Sequence, residues 1–431
     1  VALNIVTGSI AVPGATGNFD ISLSASFDPK AIMVVATPNA ADGRVNHASM
    51  SIGFGTYRGS VVQQGFQGVF CEDAIGTSDT YRRGGSGALA LLMDATGAID
   101  LEIDLVSMTT GAGSKVTLNA VNLHTTASVR LFYTIWGGSD VEDAQAHVLT
   151  PPSGAGGTYD MALGAGFGHP TVVLFGSSLQ PNDTSAHNNA DLAFGWGVLA
   201  GSTAGVAFSS LDAQATEASS QRIDNARLQV FSGTTVEQDF TLAAEAGWPT
   251  DGYEISTTEW DFAGDIATGL ALRLSSNVTV TQGHTAVRTS LGDTDHAVGT
   301  STPKGFILAH TRQTSQGAID STSTDAALIG VGMVDGSGNE RWAGVWDDDG
   351  QGGSSVASSA QSTTKALQLY LPSTDAIDTE ADGTVSGSNF RLSFTDAAPA
   401  AHLYNWLAFG EVGVTPPAAT PRLLGSTGVG T

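Results

Sequence analysis

Alternation with a period of two dominates this chain. Residues 99–105 put Ile99, Leu101, Ile103 and Leu105 on one face of an extended strand and Asp100, Glu102 and Asp104 on the other. A helix would scatter those carboxylates round a cylinder, whereas a strand gathers them on its water side. Phe390-Arg391-Leu392-Ser393-Phe394 alternates in the same way. Val, Ile, Thr and aromatic residues crowd such segments, and Gly, Asn, Asp and Ser crowd the gaps between them. Long helical periodicities with capping signals are missing. The pattern predicts an all-β protein built from short antiparallel strands.

The strands recur in one order three times, and self-similarity of this kind precedes any motif search. A Pro introduces an apolar strand at Pro29 (Ala31-Ile32-Met33-Val34-Val35), Pro170 (Thr171-Val172-Val173-Leu174-Phe175) and Pro303 (Gly305-Phe306-Ile307-Leu308-Ala309). A Gly-x-Gly strand follows, at Gly53-Phe54-Gly55, Gly195-Trp196-Gly197 and Gly330-Val331-Gly332. Pro29 to Gly53, Pro170 to Gly195 and Pro303 to Gly330 are 24, 25 and 27 residues. Next come Gly68-Val69, Gly205-Val206 and Gly344-Val345, a polar loop, and apolar strands at 89–93, 226–231 and 366–371. A long apolar strand closes each unit. Each unit then holds about eight strands in roughly 135–140 residues, the size of a β-sandwich. The expected architecture is three tandem repeated antiparallel β-sandwich domains, jelly-roll-like, with strand order left open. They span residues 1–141, 142–280 and 281–412, and 413–431 is a Pro- and Gly-rich tail. Glycine inside a strand marks a bulge or a close approach. The recurring Gly-x-Gly is therefore expected where the two sheets of a sandwich come nearest.

Composition narrows the classes. The 431 residues include 54 Gly and one Cys, and 41% are hydrophobic, which excludes disorder and a disulfide scaffold. Forty-two acidic residues against 17 basic give a formal charge of −25. That sign repels nucleic-acid phosphates and anionic lipid headgroups, so neither is an expected partner. It suits solubility, or a saline medium where charges are screened.

The search for chemistry nominates no catalytic residue and no cofactor. HExxH, Gly-x-Ser-x-Gly, Walker A and Cys-x-x-Cys patterns are absent. Cys71 precedes Glu72 and Asp73, whose charge disfavours a thiolate, and reads as a packed thiol. His147 and His284 hold matching places but lack a second ligand at metal spacing. Asp347, Asp348 and Asp349 form the densest acidic run; it lacks the alternation of a calcium loop and reads as a solvated turn. Trp136, Trp196, Trp342, Trp346 and Trp406 lie in strands and are expected in cores. Trp248 and Trp260 lie near turns and are the candidates for stacking on a glycan.

The first unit resembles a β-domain that recurs in virion structural proteins of tailed bacteriophages and prophages. The resemblance rests on Pro29-Lys30-Ala31-Ile32, Gly53-Phe54-Gly55, the loop Thr77-Ser78-Asp79-Thr80-Tyr81-Arg82-Arg83, and the closing strand that ends in Gly137-Gly138. The other units keep the order but not that loop. The resemblance implies a non-enzymatic particle component in the virion, on the capsid or the tail. It implies virion proteins as partners and a homo-oligomer, with a trimer or a pseudo-threefold arrangement as the expected symmetry. A secreted or surface glycan-binding module is the alternative, and host-surface glycan is a partner common to both.

Overall fold

In the computed structural model the described residues are 2–73, 77–124, 129–154, 156–183, 185–199, 202–214, 218–261, 264–299, 301–321, 327–348, 356–371 and 374–412. The protein is all-β. Two short 3-10 turns, Gly111–Gly113 and Glu245–Gly247, are the helical pieces among these residues. No helix among them is long and apolar enough to cross a membrane.

The strands form three pairs of antiparallel sheets, and the strand order is the same in each pair. In the first pair the large sheet runs Asn4–Ala11, Arg130–Gly137, Pro29–Ala36, Ala48–Arg58, Val61–Cys71, Thr80–Gly85. In the second it runs Val141–Leu149, Asp265–Leu274, Val172–Pro181, Ala190–Val198, Ser202–Ser210, Ser219–Asp224. In the third it runs Val278–Ala286, Leu403–Glu411, Thr302–His310, Ala327–Asp335, Glu340–Asp347, Ala357–Ser362. The last strand named in each sheet is called here its rim strand. A four-stranded sheet lies against each large one; in the first pair it runs Gly17–Ser22, Lys115–Asn122, Ile99–Thr109, Ala90–Met93. Each pair thus carries ten such strands rather than the eight expected. The additional ones include the rim strands, which are polar in sequence and read as loops.

The Gly-x-Gly strands sit where the two sheets touch. A Cβ on Gly53 would lie 1.6 Å from the Leu89 carbonyl oxygen, and one on Gly332 1.9 Å from that of Ala366. Both oxygens belong to the chain entering the small sheet, so only glycine admits that approach. In the second pair the Leu228 side chain fills the gap, 2.9 Å from a Cβ on Gly195.

Three clusters of buried side chains fill the sandwiches, one for each pair. A fourth, larger cluster joins all three: it holds Met33, Phe54 and Trp136 with Leu174, Phe194 and Leu270 and with Ile307, Met333 and Leu407. Each large sheet is therefore buried on both faces, one against its own small sheet and one against the neighbouring pairs. That is why Ala48–Arg58, Ala190–Val198 and Ala327–Asp335 are buried almost without interruption rather than at alternate positions.

The joins between pairs are short, 138–140 and 275–277, and the third pair opens at Val278. The expected boundary at 280 falls inside that strand. The last strand ends at Glu411, and the expected tail 413–431 lies outside the described residues. Asp100, expected in water, is nearly buried and pairs with His124 at 3.1 Å. Its strand-mates Glu102 and Asp104 are half-buried, and desolvation raises both carboxyls above the usual range.

Candidate functional site

The residues that distinguish this molecule from three separate sandwiches lie at the seams between the sheet pairs. Each seam is built by the connection between the third and fourth strands of a large sheet. This connection leaves its own pair and lies along the rim strand of another; we call it a strap. The first strap, 37–47, contributes Gly43–Asn46 as a seventh strand on Ala357–Ser362 of the third pair, with Gly43 opposite Gln361 and Asn46 opposite Ser358. The second contributes His187–Asn188 to Thr80–Gly85 of the first pair, with His187 opposite Arg82. The third meets the rim of the second pair through a bridge between Asp320 and Gln221. First grips third, second grips first, third grips second: the cycle is closed.

The rim strands are polar because their side chains complete backbone hydrogen bonds across a buried seam. Gln361 Nε2 donates to the Asn39 and Ala41 carbonyls at 3.0 and 3.1 Å, and Ser359 Oγ to that of His47 at 3.1 Å. At the second–third seam Gln221 Oε1 accepts from the Arg312 amide at 2.8 Å, and Gln313 Oε1 from the Ile223 amide at 2.6 Å. At the first–second seam Gln180 Nε2 donates to the Gly84 carbonyl at 2.6 Å, and Ser178 Oγ to Gln67. From the closing strand of the third pair, Asn405 Nδ2 donates to the Gly205 and Asp224 carbonyls of the second at 3.0 and 2.8 Å.

Ion pairs reinforce the seams. The Arg58 guanidinium holds Asp143 with Nε 3.0 Å from Oδ1 and Nη2 2.9 Å from Oδ2. Arg44 of the first strap reaches Asp375 at 2.8 Å. Arg82 on the rim of the first pair pairs with Asp191 of the second, whose side chain is fully buried. Burial lifts Asp191 to about 6, against the pull of Arg82 and the hydrogen bond from Ser209 Oγ.

The residues nominated from sequence lie elsewhere. Trp248 and Trp260, the glycan-stacking candidates, are both buried in the core of the second sandwich. This corrects the expectation of exposure. The turn Glu245–Gly247 folds the chain back, so the Trp248 ring packs edge-on against His169 and Tyr253 while its Nε1 donates to the Ala243 carbonyl at 3.1 Å. Trp260 ends a strand and tilts against Phe240. A large aromatic beside a turn still gains more by burial than by exposure. Trp136, Trp196, Trp342 and Trp346 are core residues, and Trp406 is half-buried beside the third core. Asp347 and Asp348 are buried rather than solvated, because the strand Glu340–Asp347 runs into the second–third seam, where Ser219 Oγ donates to the Asp347 carbonyl at 3.0 Å. Asp349 lies outside the described residues. Among those described, no three His, Cys, Asp or Glu side chains gather as metal ligands. Cys71 is buried in the shared central cluster. His147 is half-buried with Nε2 2.5 Å from the Tyr253 hydroxyl, and desolvation of the ring lowers it to about 4. His284 is exposed and meets Asn225 at 2.9 Å.

Sequence reasoning missed the seam residues. Their signal was present as Ser-Ser-Gln-Arg at 219–222 and Ser-Ser-Ala-Gln at 358–361, at matching distances after a Gly-Val step.

No family model matches the chain, and no curated protein matches it. Among solved structures, a fructofuranosidase from Schwanniomyces occidentalis complexed with fructosylnystose aligns over 91% of this chain and 100% of its own, at 5% identity and a TM-score of 0.14. A likeness at that level carries no argument about fold or activity.

Proposed function

We propose that this protein is a non-enzymatic structural component of a tailed-phage virion, in which one chain does the work of a three-subunit ring. The observation that carries the reading is the closed cycle of straps. Three sheet pairs of one strand order grip one another head to tail, which is the contact pattern of a cyclic trimer. Such a body suits a threefold position on a capsid or tail. The phage-like motifs of the first unit and the acidic, phosphate-repelling surface support the same reading. Its partners are other virion proteins, and its place is the extracellular particle. Mass spectrometry of purified particles tests it: the chain is expected in fixed stoichiometry with the major capsid or tail proteins, and its absence from particles removes the reading.

A further inference from the structure

We propose that Val278–Ala286 is a docking edge at which two copies of this chain pair antiparallel, strand to strand. The proposal is independent of the particle reading. It starts from a break in the threefold pattern. The opening strand of each large sheet is an edge strand, bonded within its sheet on one side only. In the first pair the outward amide of Thr7 is taken by Asp335 of the third pair at 3.1 Å. In the second the outward amide of Ala146 is taken by Thr56 Oγ1 of the first pair at 3.0 Å. The third opening strand has no such cover. The Val412 amide donates to the Asn277 carbonyl and the Val287 amide to the His402 carbonyl, both at 2.7 Å, so odd-numbered positions face Leu403–Glu411. Even-numbered positions turn their amides and carbonyls outward. Among the described residues, the amides of Val280, Gln282, His284 and Ala286 have no partner. The second pair meets this strand through a side chain, Asn225 on the His284 ring, which leaves the backbone edge bare.

Exposure and sequence agree with an open edge. Val278–Ala286 is half-buried throughout except at His284, which is exposed, whereas Ile5, Thr7 and Gly8 of the first opening strand and Ala144, Gln145 and Ala146 of the second are buried. Edges of the small sheets are guarded by charge: Asp20 on Gly17–Ser22, Asp160 on Gly157–Ala162, Asp293 and Asp295 on Gly292–Ala297. Val-Thr-Val-Thr-Gln-Gly-His-Thr-Ala holds no Asp, Glu, Lys, Arg or Pro. An unguarded edge of that kind accepts a further strand.

The strand complements itself. A charged segment finds no countercharge along it, while two copies, each at −25, meet here at a neutral stretch. Antiparallel pairing about Gln282 sets Val280 opposite the partner's His284 and Thr279 opposite the partner's Thr285, with no like charges face to face. It also brings opposite ends together. Leu291, at 65% the most exposed large apolar side chain among the described residues, follows one end, and Val412, 40% exposed, stands beside the other. The twofold carries each Leu291 toward the Val412 end of the other copy. The third large sheet then runs unbroken from one copy into the next.

Sedimentation velocity on the full chain is expected to show a monomer–dimer equilibrium, strengthened as salt screens the repulsion between two acidic bodies. A nitroxide on His284→Cys reads the register, since Cys71 is buried and escapes labelling. The two labelled Cα atoms then lie four residues apart along the strands, at about 14 Å. His284→Pro removes an outward amide that the monomer does not use, and is expected to weaken the dimer at least about tenfold with the melting temperature unchanged. Leu291→Gln, exposed beyond the strand, is expected to weaken it about fivefold. Val61→Gln, exposed on the first pair, leaves it unchanged. A monomer at every concentration assigns the edge to another occupant, the residues beyond Val412 or a different protein, and overturns the proposal. A dimer that survives both His284→Pro and Leu291→Gln, or whose labels lie far outside the expected distance, overturns it too.

Discussion

At the scale of single residues, the seams are held by polar groups that are costly to strand. Asp191 is the sharpest case, since its carboxylate is fully buried and faces Arg82. Arg82→Ala leaves that charge unpaired and is expected to cost about 3–5 kcal/mol near neutral pH. The defect should shrink on acidification. Folded-state burial raises Asp191 from 3.8 to about 6, so protonation favours the folded form, and its contribution to stability falls as pH rises from 4 to 6. Without Arg82 the group holds its proton still more tightly, and at pH 5 the unpaired charge is gone. Urea unfolding at pH 7.5 and pH 5 checks this: an equal loss at both would place the energy in packing rather than charge. Asp191→Asn added to Arg82→Ala should recover part of the neutral-pH loss.

At the scale of elements, the straps are short and their hold depends on a few side chains. Gln361→Ala removes three hydrogen bonds to the first strap, two from its Nε2 to the Asn39 and Ala41 carbonyls and one that its Oε1 accepts from Thr37 Oγ1, at a cost of about 1–3 kcal/mol. Hydrogen exchange should then quicken at 43–46 and 357–362 and stay slow at the other two seams; uniform loosening would mean that the straps do not act separately. These elements were the least legible in the sequence. The alternating strands, the three repeats and the glycines at the sheet contact could all be read from it, because each obeys a local rule. Ser219–Asp224 and Ala357–Ser362 could not, since serine and glutamine between apolar segments look like loop until a neighbouring chain segment gives them something to bond. One clue to the central cluster was available: Ala31-Ile32-Met33-Val34-Val35 is apolar at every position, as a strand covered on both faces must be. The placement of Trp248 and Trp260 failed for the opposite reason, since proximity to a turn says little about which way a ring faces.

At the scale of the molecule, the shared cluster makes the three sandwiches one cooperative body. Met33, Leu174 and Ile307 come from different pairs and are buried together, so no pair can unfold without exposing its neighbours. Calorimetry is expected to give a single transition with van't Hoff and calorimetric enthalpies in agreement, where independent beads would give a broadened or stepped curve.

The first strap also sets a timetable. Its Gly43–Asn46 strand docks on Ala357–Ser362, which the ribosome makes only after roughly 15–60 s of further elongation. Until then the nascent first sheet pair carries an unclasped segment and a bare apolar sheet, so the cell must shelter an early intermediate throughout that interval.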